Sequence, residues 1–229
     1  MRAELDAVAF DIDGTLYPDF SLFARLLPFT LSHLNLMVNF GRVRDEIRDW
    51  QAAHPGEINA DFFSYQALLL SSKIGETPGR AAELLRTLIY EGWRPVFERV
   101  RPFPYLHETF DAFRASGLKL GLLSDFLPSQ KGDVWGLAPK CDVVLGSEET
   151  GALKPSPIPF LSLAESLGVP PARVLYVGNS VSSDVRGASA AGMKTACVIG
   201  RVAALLGRKA PGADISFHSY RQLRGIVLK

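Results

Sequence analysis

Short apolar runs rich in β-branched residues recur along this chain with helix-like segments between them. That alternation constrains the fold more than any other feature. The runs are "DAVAF" (6–10), "LKLGLLS" (118–124), "CDVVLG" (141–146), "RVLYVG" (173–178), "KTACVIG" (194–200) and, more weakly, "DISFHS" (214–219). They read as buried strands. Three helical stretches lie between them: "YLHETFDAFRASG" (105–117), "PIPFLSLAESLG" (157–168) and "DVRGASAAG" (184–192), each closing on a glycine. Strand alternating with helix predicts an α/β fold, a mainly parallel sheet covered on both faces.

The alternation lapses between about residue 18 and residue 100. That stretch reads as wholly helical, with amphipathic pieces near 20–37, 40–53, 60–73 and 78–98 and breaks at "AHPGE" and "GETPG". "RPFP" (101–104) ends it, because its prolines cannot continue a helix. The expected organisation is therefore a core from residues 1–17 and 99–229, interrupted right after its first strand by a helical domain over 18–98.

The length of 229 residues suits one large domain, or a core carrying a smaller insert. With 25 basic and 24 acidic residues the net charge is +1, so no global field favours nucleic acid or an anionic membrane. Cys141 and Cys197 lack metal-ligand spacing and read as small core residues of a reducing compartment, with a disulfide left open. "MRAELDAVAF" holds too short an apolar stretch for a signal peptide, and residues 20–40 are broken by Arg25, Pro28, His33 and Asn35. The expectation is a cytoplasmic protein with no nucleic-acid or membrane partner. Oligomeric state is not legible, since core and interface aromatics look alike in sequence.

In open parallel sheets, ligands bind beyond the carboxyl ends of the strands. After the first strand comes Asp11-Ile12-Asp13-Gly14-Thr15. Side chains two apart in an extended chain point the same way, and Gly14 permits a tight turn that gathers both carboxylates. A divalent cation would offset their repulsion; a capping pair at a turn is the plainer alternative. The second strand ends in Ser124-Asp125, where a hydroxyl and backbone N–H groups could hold an anion or simply cap a turn. "EETGALKPSP" then offers Lys154 in a loop stiffened by Pro155 and Pro157, and "GNSVSSD" offers Asn179 and Asp184 ahead of a helix. Oxygen ligands of that kind suit Mg²⁺, and Ser183 or Asp184 also suits a helix N-cap. Each piece is modest alone. Their order, one at each successive strand end, is far more specific.

That ordered set, "DIDGTL", "GLKLGLLSD", "GALKPSP" and "VLYVGNSVSSDVRGASAAGMKT", resembles the haloacid dehalogenase-like hydrolases, in their phosphatase branch with a helical cap of the C1 type. The resemblance implies a Rossmann-like, doubly wound, mainly parallel sheet core with an inserted α-helical cap domain. It implies an Mg²⁺-dependent phosphatase acting on a small phosphorylated metabolite through an aspartyl-phosphate. Asp11 would be the nucleophile and Asp13 the general acid and base. Thr15 would steady the Asp13 loop, Ser124 would bind phosphoryl oxygens, and Lys154 would offset charge on Asp11 and the phosphate. Asp11 and the Asp13 main-chain oxygen would hold the metal, with Asn179 or Asp184 as third ligand. Two positions depart from the common pattern: Asn179 stands where Asp is usual, and Asp125 where Asn is frequent, close to the expected phosphate site.

Asp13 argues for phosphate esters over organohalides, because a departing halide needs no proton. Lys73, the one lysine between residues 18 and 100, has no setting that suits a phosphonatase Schiff base. A phosphomutase or phosphotransferase would reuse the same core residues. A non-catalytic phosphate-binding protein is the reading that Asn179 hints at. A signalling receiver domain shares the residue types, but its accepting Asp follows a middle strand and no large insert follows its first. In the insert, Arg42, Arg44 and Arg48 and the aromatics of "DFFSYQ" are candidates for substrate contacts; the plainer reading is that the arginines alternate with acids as on a solvated helix face and the aromatics suit a bundle core. Tyr17 and Phe20 are better placed to line a pocket, and hinge packing is the alternative for both. The four histidines are scattered and are given no chemistry.

Overall fold

The computed structural model describes residues 4–229, so the first three residues of the expected core segment 1–17 lie outside it. Six parallel strands form one sheet in the order β3-β2-β1-β4-β5-β6. They are β1 (Ala7–Phe10), β2 (Lys119–Ser124), β3 (Val143–Gly146), β4 (Val174–Gly178), β5 (Lys194–Val198) and β6 (Ile215–Phe217). The order reverses direction between β1 and β4, so their carboxyl ends flank the crevice where such sheets bind ligands. Each expected strand is present, shortened at one end or both.

Register fixes what meets at that crevice. Ala7–Phe10 pair with Lys119–Leu122 on one side and with Val174–Val177 on the other. All four residues of β1 are buried, which is why its sequence is a continuous apolar run without alternation. The alternation survives as a choice of partner. Val8, Phe10, Leu120, Leu122, Leu175 and Val177 face α6 (Leu106–Ala115) and α10 (Tyr220–Val227), where Phe110 stacks on Phe10 at 4.5 Å between ring centroids. Ala7, Ala9, Leu123, Val174 and Tyr176 face α7 (Pro157–Leu167) and α8 (Arg186–Ala190). Ala7, Ala9 and Gly121 keep part of this second face low, and α7 sits close: a Cβ at Gly121 would lie 3.1 Å from Leu163 Cδ1.

Between β1 and β2 run α1 (Asp19–Ser32), α2 (Leu34–Ala53), α3 (Phe62–Ile74), α4 (Pro78–Leu84, continued by a π-helical turn over Leu85–Glu91) and the short α5 (Arg94–Phe97). Leu22, Leu26, Phe40, Val43, Ile47, Leu70 and Ile89 of this insert join the same apolar cluster as Phe10 and Phe110. Two expectations shift here. The first helical break falls at His33, not after residue 37; no Gly or Pro marks it, and the chain turns where His33 leaves helical geometry. Phe20, expected near a pocket, is 81% exposed on the outer side of α1. The short α9 (Arg201–Leu205) and α10, neither of them assigned from sequence, close the chain.

Among the described residues no helix is long and apolar enough to cross a membrane, and Cys141 and Cys197 are both free thiols. The packing of α8 on α7 depends on Gly187, whose absent Cβ would meet the Phe160 ring at 2.4 Å and Pro155 O at 2.9 Å. Gly187→Ala should lower stability by about 1–3 kcal/mol, as overpacked sites do, despite alanine's better helix propensity. Thermal or urea unfolding of the two proteins checks this; an unchanged or raised midpoint would contradict the close packing.

Candidate active site

β1 ends at Phe10, and the next residue begins the site. Asp11 N donates to Val177 O at 2.9 Å, which extends the ladder by one residue and sets the Asp11 side chain at the crevice floor. The chain then turns: Thr15 N and Leu16 N both donate to Ile12 O, and Gly14 takes φ +74°. Only glycine suits this position. A Cβ there would fall 2.0 Å from Asn179 Nδ2 and 2.2 Å from Asp19 Oδ1, besides the left-handed backbone. Tyr220 of α10 reaches in from behind, its hydroxyl donating to Thr15 O at 2.6 Å.

The turn delivers Asp11 into a buried ion cluster. Lys154 Nζ donates to Asp11 Oδ1 at 2.6 Å and to Asp184 Oδ1 at 2.8 Å, with the Tyr176 hydroxyl at 3.3 Å. All three charged side chains are at most 5% exposed. Thr15 Oγ1 donates to the other Asp11 oxygen at 2.7 Å. Burial pushes the Asp11 carboxyl up to about 7; Lys154 pulls it down, while Asp184 and Asp13 push it further up. Burial would lower the Lys154 ammonium, but Asp11 and Asp184 hold it well above its ordinary value.

Asp13, half-buried, belongs to a second cluster. Tyr17 Oη donates to Asp13 Oδ1 at 2.5 Å; Ser124 Oγ donates to Asp13 Oδ2 at 3.3 Å. A further cation completes it: Lys131 Nζ lies 2.5 Å from Asp13 Oδ2 and 2.9 Å from Ser124 Oγ. Sequence reasoning missed Lys131. It stands in a polar loop, "LPSQKGD", whose only signals were the turn residues Pro128 and Gly132.

Asp184 accepts the N–H groups of Asn179 and Ser180 on Oδ2, so both its oxygens are engaged. Asn179 is held differently. Its Nδ2 donates to Asp19 Oδ2 at 3.0 Å, and its Oδ1 accepts from Thr15 Oγ1 at 3.4 Å. The amide oxygen therefore faces the side of Thr15 that also carries Asp11 Oδ2. These are hard oxygen donors, of the kind Mg²⁺ takes. Among the described residues no group of three or more His, Cys, Asp or Glu is arranged to hold a metal.

Asp125, Arg44 and Arg48 clasp the insert to the core. Asp125 Oδ1 accepts from Lys154 N at 3.1 Å and Oδ2 from Arg48 Nη2 at 2.8 Å. Arg48 Nε also donates to Lys154 O at 3.0 Å. Arg44 was expected on a solvated face. It is instead 5% exposed, donating to Glu148 Oε1 at 2.5 Å, and Glu148 also accepts from the Tyr90 hydroxyl at 2.9 Å. Arg42 does remain exposed. The reason for the difference is tertiary: α2 lies across the loops after β2 and β3, which its own charge pattern does not announce. The loop bearing Lys154 is thus held by α2 as well as by Pro155.

The structure thus brings together the side chains of Asp11, Asp13, Thr15, Ser124, Lys154, Asn179 and Asp184 at the ends of β1, β2 and β4. Asp125 stands behind Lys154. The chain was compared with known proteins. Residues 5–192 match the family model of a haloacid dehalogenase-like hydrolase. A glyceraldehyde 3-phosphate phosphatase of Methanopyrus kandleri is 28% identical over 83% of this chain and 82% of its own. A phosphoglycolate phosphatase of Xylella fastidiosa is also 28% identical, over 81% of this chain and 76% of its own. Among solved structures, an L-2-haloacid dehalogenase from Xanthobacter autotrophicus superposes with a TM-score of 0.65 at 21% identity, covering 98% of each chain.

Burial alone would raise the Asp125 carboxyl, but Lys154, Arg44 and Arg48 around it bring it down to about 2. A carboxyl so lowered contributes stability above its unfolded value near 4, and that contribution is lost as pH falls towards 2. Asp125→Asn should therefore cost about 2 kcal/mol at pH 7. The deficit should shrink as pH falls from about 4 to about 2. Urea unfolding of both proteins across that range is the check; a deficit independent of pH would show that the charge of Asp125 is not what the clasp uses.

Proposed function

The chain belongs to the haloacid dehalogenase-like hydrolases, and from that premise we propose that it is a phosphatase cleaving a small phosphate monoester with Mg²⁺. The observation that carries the reading is Asp13. It stands two residues beyond Asp11, on the turn shaped by Gly14, with its carboxylate against Ser124. A halide leaves without a proton; an alkoxide does not. The L-2-haloacid dehalogenase superposes over nearly the whole chain, so the overall likeness does not separate the two chemistries, and the acid at position 13 is what favours the ester.

In this reading Asp11 attacks phosphorus, the bond from phosphorus to the ester oxygen breaks, and Asp13 gives its proton to the departing alkoxide. Asp13, now a carboxylate, takes a proton from water as that water attacks phosphorus and frees Asp11. Ser124 donates to a phosphoryl oxygen. Lys154 balances the charge that Asp11 shares with the phosphate and keeps Asp11 aimed. Thr15 holds the oxygen of Asp11 that does not face Lys154. The Asp11 carboxylate, the Asp13 main-chain oxygen and Asn179 Oδ1 would hold Mg²⁺, which when bound disperses negative charge on the phosphoryl oxygens. Asp184, with both oxygens engaged, fixes Lys154 and the Asn179 backbone. Asp125 positions Lys154 through its backbone N–H.

Residues 18–98 would act as a cap that closes over the site and excludes water. Its hinge would lie at the two crossings near residues 17 and 99, and the clasp of Arg44 and Arg48 on the core would secure the closed state. The related phosphatases act, by their names, on glyceraldehyde 3-phosphate and phosphoglycolate. A small three- or two-carbon phosphate ester is the substrate class to test first.

A chromogenic aryl phosphate, followed with and without Mg²⁺, tests the reading. Turnover should require the metal and fall by about a thousandfold or more in Asp11→Asn, which removes the nucleophile. Asp13→Asn should lose about 10²–10⁴ in kcat while still binding inorganic phosphate. Asn179→Asp should tighten Mg²⁺, measured by calorimetry, because it restores a charged ligand. A wild type inert to a broad panel of phosphate esters would sink the proposal, and normal turnover in Asp13→Asn would remove Asp13 from the mechanism.

A further inference from the structure

Two donors converge on one carboxylate oxygen in this site. Lys131 Nζ lies 2.5 Å, and Ser124 Oγ 3.3 Å, from the same atom, Asp13 Oδ2. Lys131 also donates to Ser124 Oγ at 2.9 Å, so the hydroxyl's own proton is free to point at that shared acceptor. An ammonium and a hydroxyl aimed at one anionic oxygen form a small cradle. Asp13 fills it here with its own side chain.

The rest of the environment is built around that ammonium. The Lys131 side chain is 1% exposed. Its Nζ sits 4.9 Å from the centroid of the Phe97 ring and 5.3 Å from that of Phe126. Such aromatic faces favour a cation and leave it only a narrow outlet. The turn that carries it, Pro128–Lys131, is pinned to the insert by Gln130 Nε2 donating to Ile89 O at 2.8 Å. Farther along the loop, Val134 and Trp135 take φ of +51° and +56°. That is costly backbone for a β-branched and an aromatic residue, and such backbone persists where the surroundings enforce it. Trp135 in turn packs edge-on against Tyr17, the other partner of Asp13.

Charge supplies the second argument. Lys154 is already shared between Asp11 and Asp184. Its charge is divided between two carboxylates, whereas Lys131 faces one, so Lys131 has more charge to offer a phosphoryl oxygen once Asp13 moves away. Lys131 is the remaining buried ammonium in contact with Ser124, the residue that resemblance assigns to the phosphoryl oxygens.

We propose that Lys131 is a second cationic contact for the transferring phosphoryl group, and that the Asp13 carboxylate occupies the phosphoryl-oxygen position until substrate displaces it. The proposal rests on the phosphatase reading. It makes Lys131 a catalytic residue that touches substrate, and it makes the release of Asp13 from Lys131 a consequence of phosphate binding. Displaced from the cradle and away from the Lys131 ammonium, the carboxylate can take up from solvent the proton that it then carries to the ester oxygen.

The experiment measures the dissociation constant of inorganic phosphate by calorimetry at fixed Mg²⁺. It uses the whole chain and the variants Lys131→Met, Lys131→Gln and Lys131→Arg, with KM and kcat on an aryl phosphate beside it. Lys131→Met and Lys131→Gln should weaken phosphate by about tenfold or more, the scale of a charge-assisted hydrogen bond, and raise KM with it. Lys131→Arg should recover part of the loss. Asp13→Asn supplies the discriminating background. There, phosphate should bind more tightly than to the wild type, because the competing charge has gone, and Lys131→Met should still cost about tenfold. If Lys131 only neutralises Asp13, Lys131→Met will not alter phosphate affinity in the Asp13→Asn background, and the proposal falls. Should Lys131→Met not fold, Lys131→Gln, which keeps a donor without the charge, decides between the same two outcomes. A wild type that neither binds phosphate nor hydrolyses the ester overturns the phosphatase reading instead. One that hydrolyses it, with phosphate affinity indifferent to Lys131, overturns this proposal alone.

Discussion

Lys154 stands between Asp11 and Asp184 with almost no access to water, and the site has the form it does because those three charges can only be buried together. Each comes from a different part of the chain: the exit of β1, the loop ahead of α7, and the turn ahead of α8. Moving two carboxylates and an ammonium out of water is expensive, and removing one partner of such a group costs about 3–5 kcal/mol because the others stay charged and unpaired. The ion cluster therefore locks three elements into one register. It also explains why the flanking groups are so completely engaged. The hydroxyls of Thr15 and Tyr176, and the N–H groups of Asn179 and Ser180, each satisfy an atom of the cluster or stand against one.

The sheet makes that meeting possible. Because β1 pairs in parallel with both β2 and β4, the residues after Phe10, Leu123 and Val177 emerge on one edge, side by side. Lys154 arrives from farther away and needs more guidance. It receives it from Asp125, which holds its N–H, and from Arg48 of α2, which holds its carbonyl. The same arginine binds Asp125. A single guanidinium on the insert thus ties the insert's position to the aim of the lysine in the core. Under the cap reading proposed above, opening the insert would loosen the lysine loop, so closure would also assemble the charged site.

How much of this the chain announces depends on whether a residue's role is local. The strands were legible because both faces of the sheet are covered, which leaves uninterrupted apolar runs such as "VAF" and "VLYV". The convergence of Asp11, Asp13, Ser124, Lys154, Asn179 and Asp184 was legible because each stands at or beyond a strand end and parallel sheets place strand ends together. Lys131 was not, since it lies seven positions beyond Ser124 and its burial comes from Phe97, far away in sequence. Arg44 was misread for a similar reason. Charges alternating along α2 mark a solvated face unless something lies against it, and what lies against it is Glu148 from the loop after β3. The break at His33 carries no Gly or Pro. Local chemistry marks strand ends and turns; it does not mark which helix face a distant loop will cover.

Asn179 is best understood through the charge of the whole site. The side chains of Asp11, Asp13, Asp19 and Asp184 face those of Lys131 and Lys154, which leaves two net negative charges. Under the reading proposed above, a divalent cation brings the loaded site to neutrality, and a phosphate dianion is no longer repelled. An aspartate at position 179 would leave the loaded site negative. In that reading the amide exchanges some hold on the metal for less repulsion of the substrate. The loss is limited by Asp19, whose carboxylate takes the Nδ2 hydrogen and so turns the amide oxygen towards Thr15 and Asp11. An amide polarised in this way is a better oxygen donor than a free one, as partners behind metal ligands generally make them. The position of Asp19 carries its own mark of the crowding: burial and then Asp13 raise its carboxyl, and the Asn179 hydrogen bond lowers it. Under that reading Asn179, with Asp19 behind it and Lys131 across from it, is one half of a different balance between a metal ion and a phosphate.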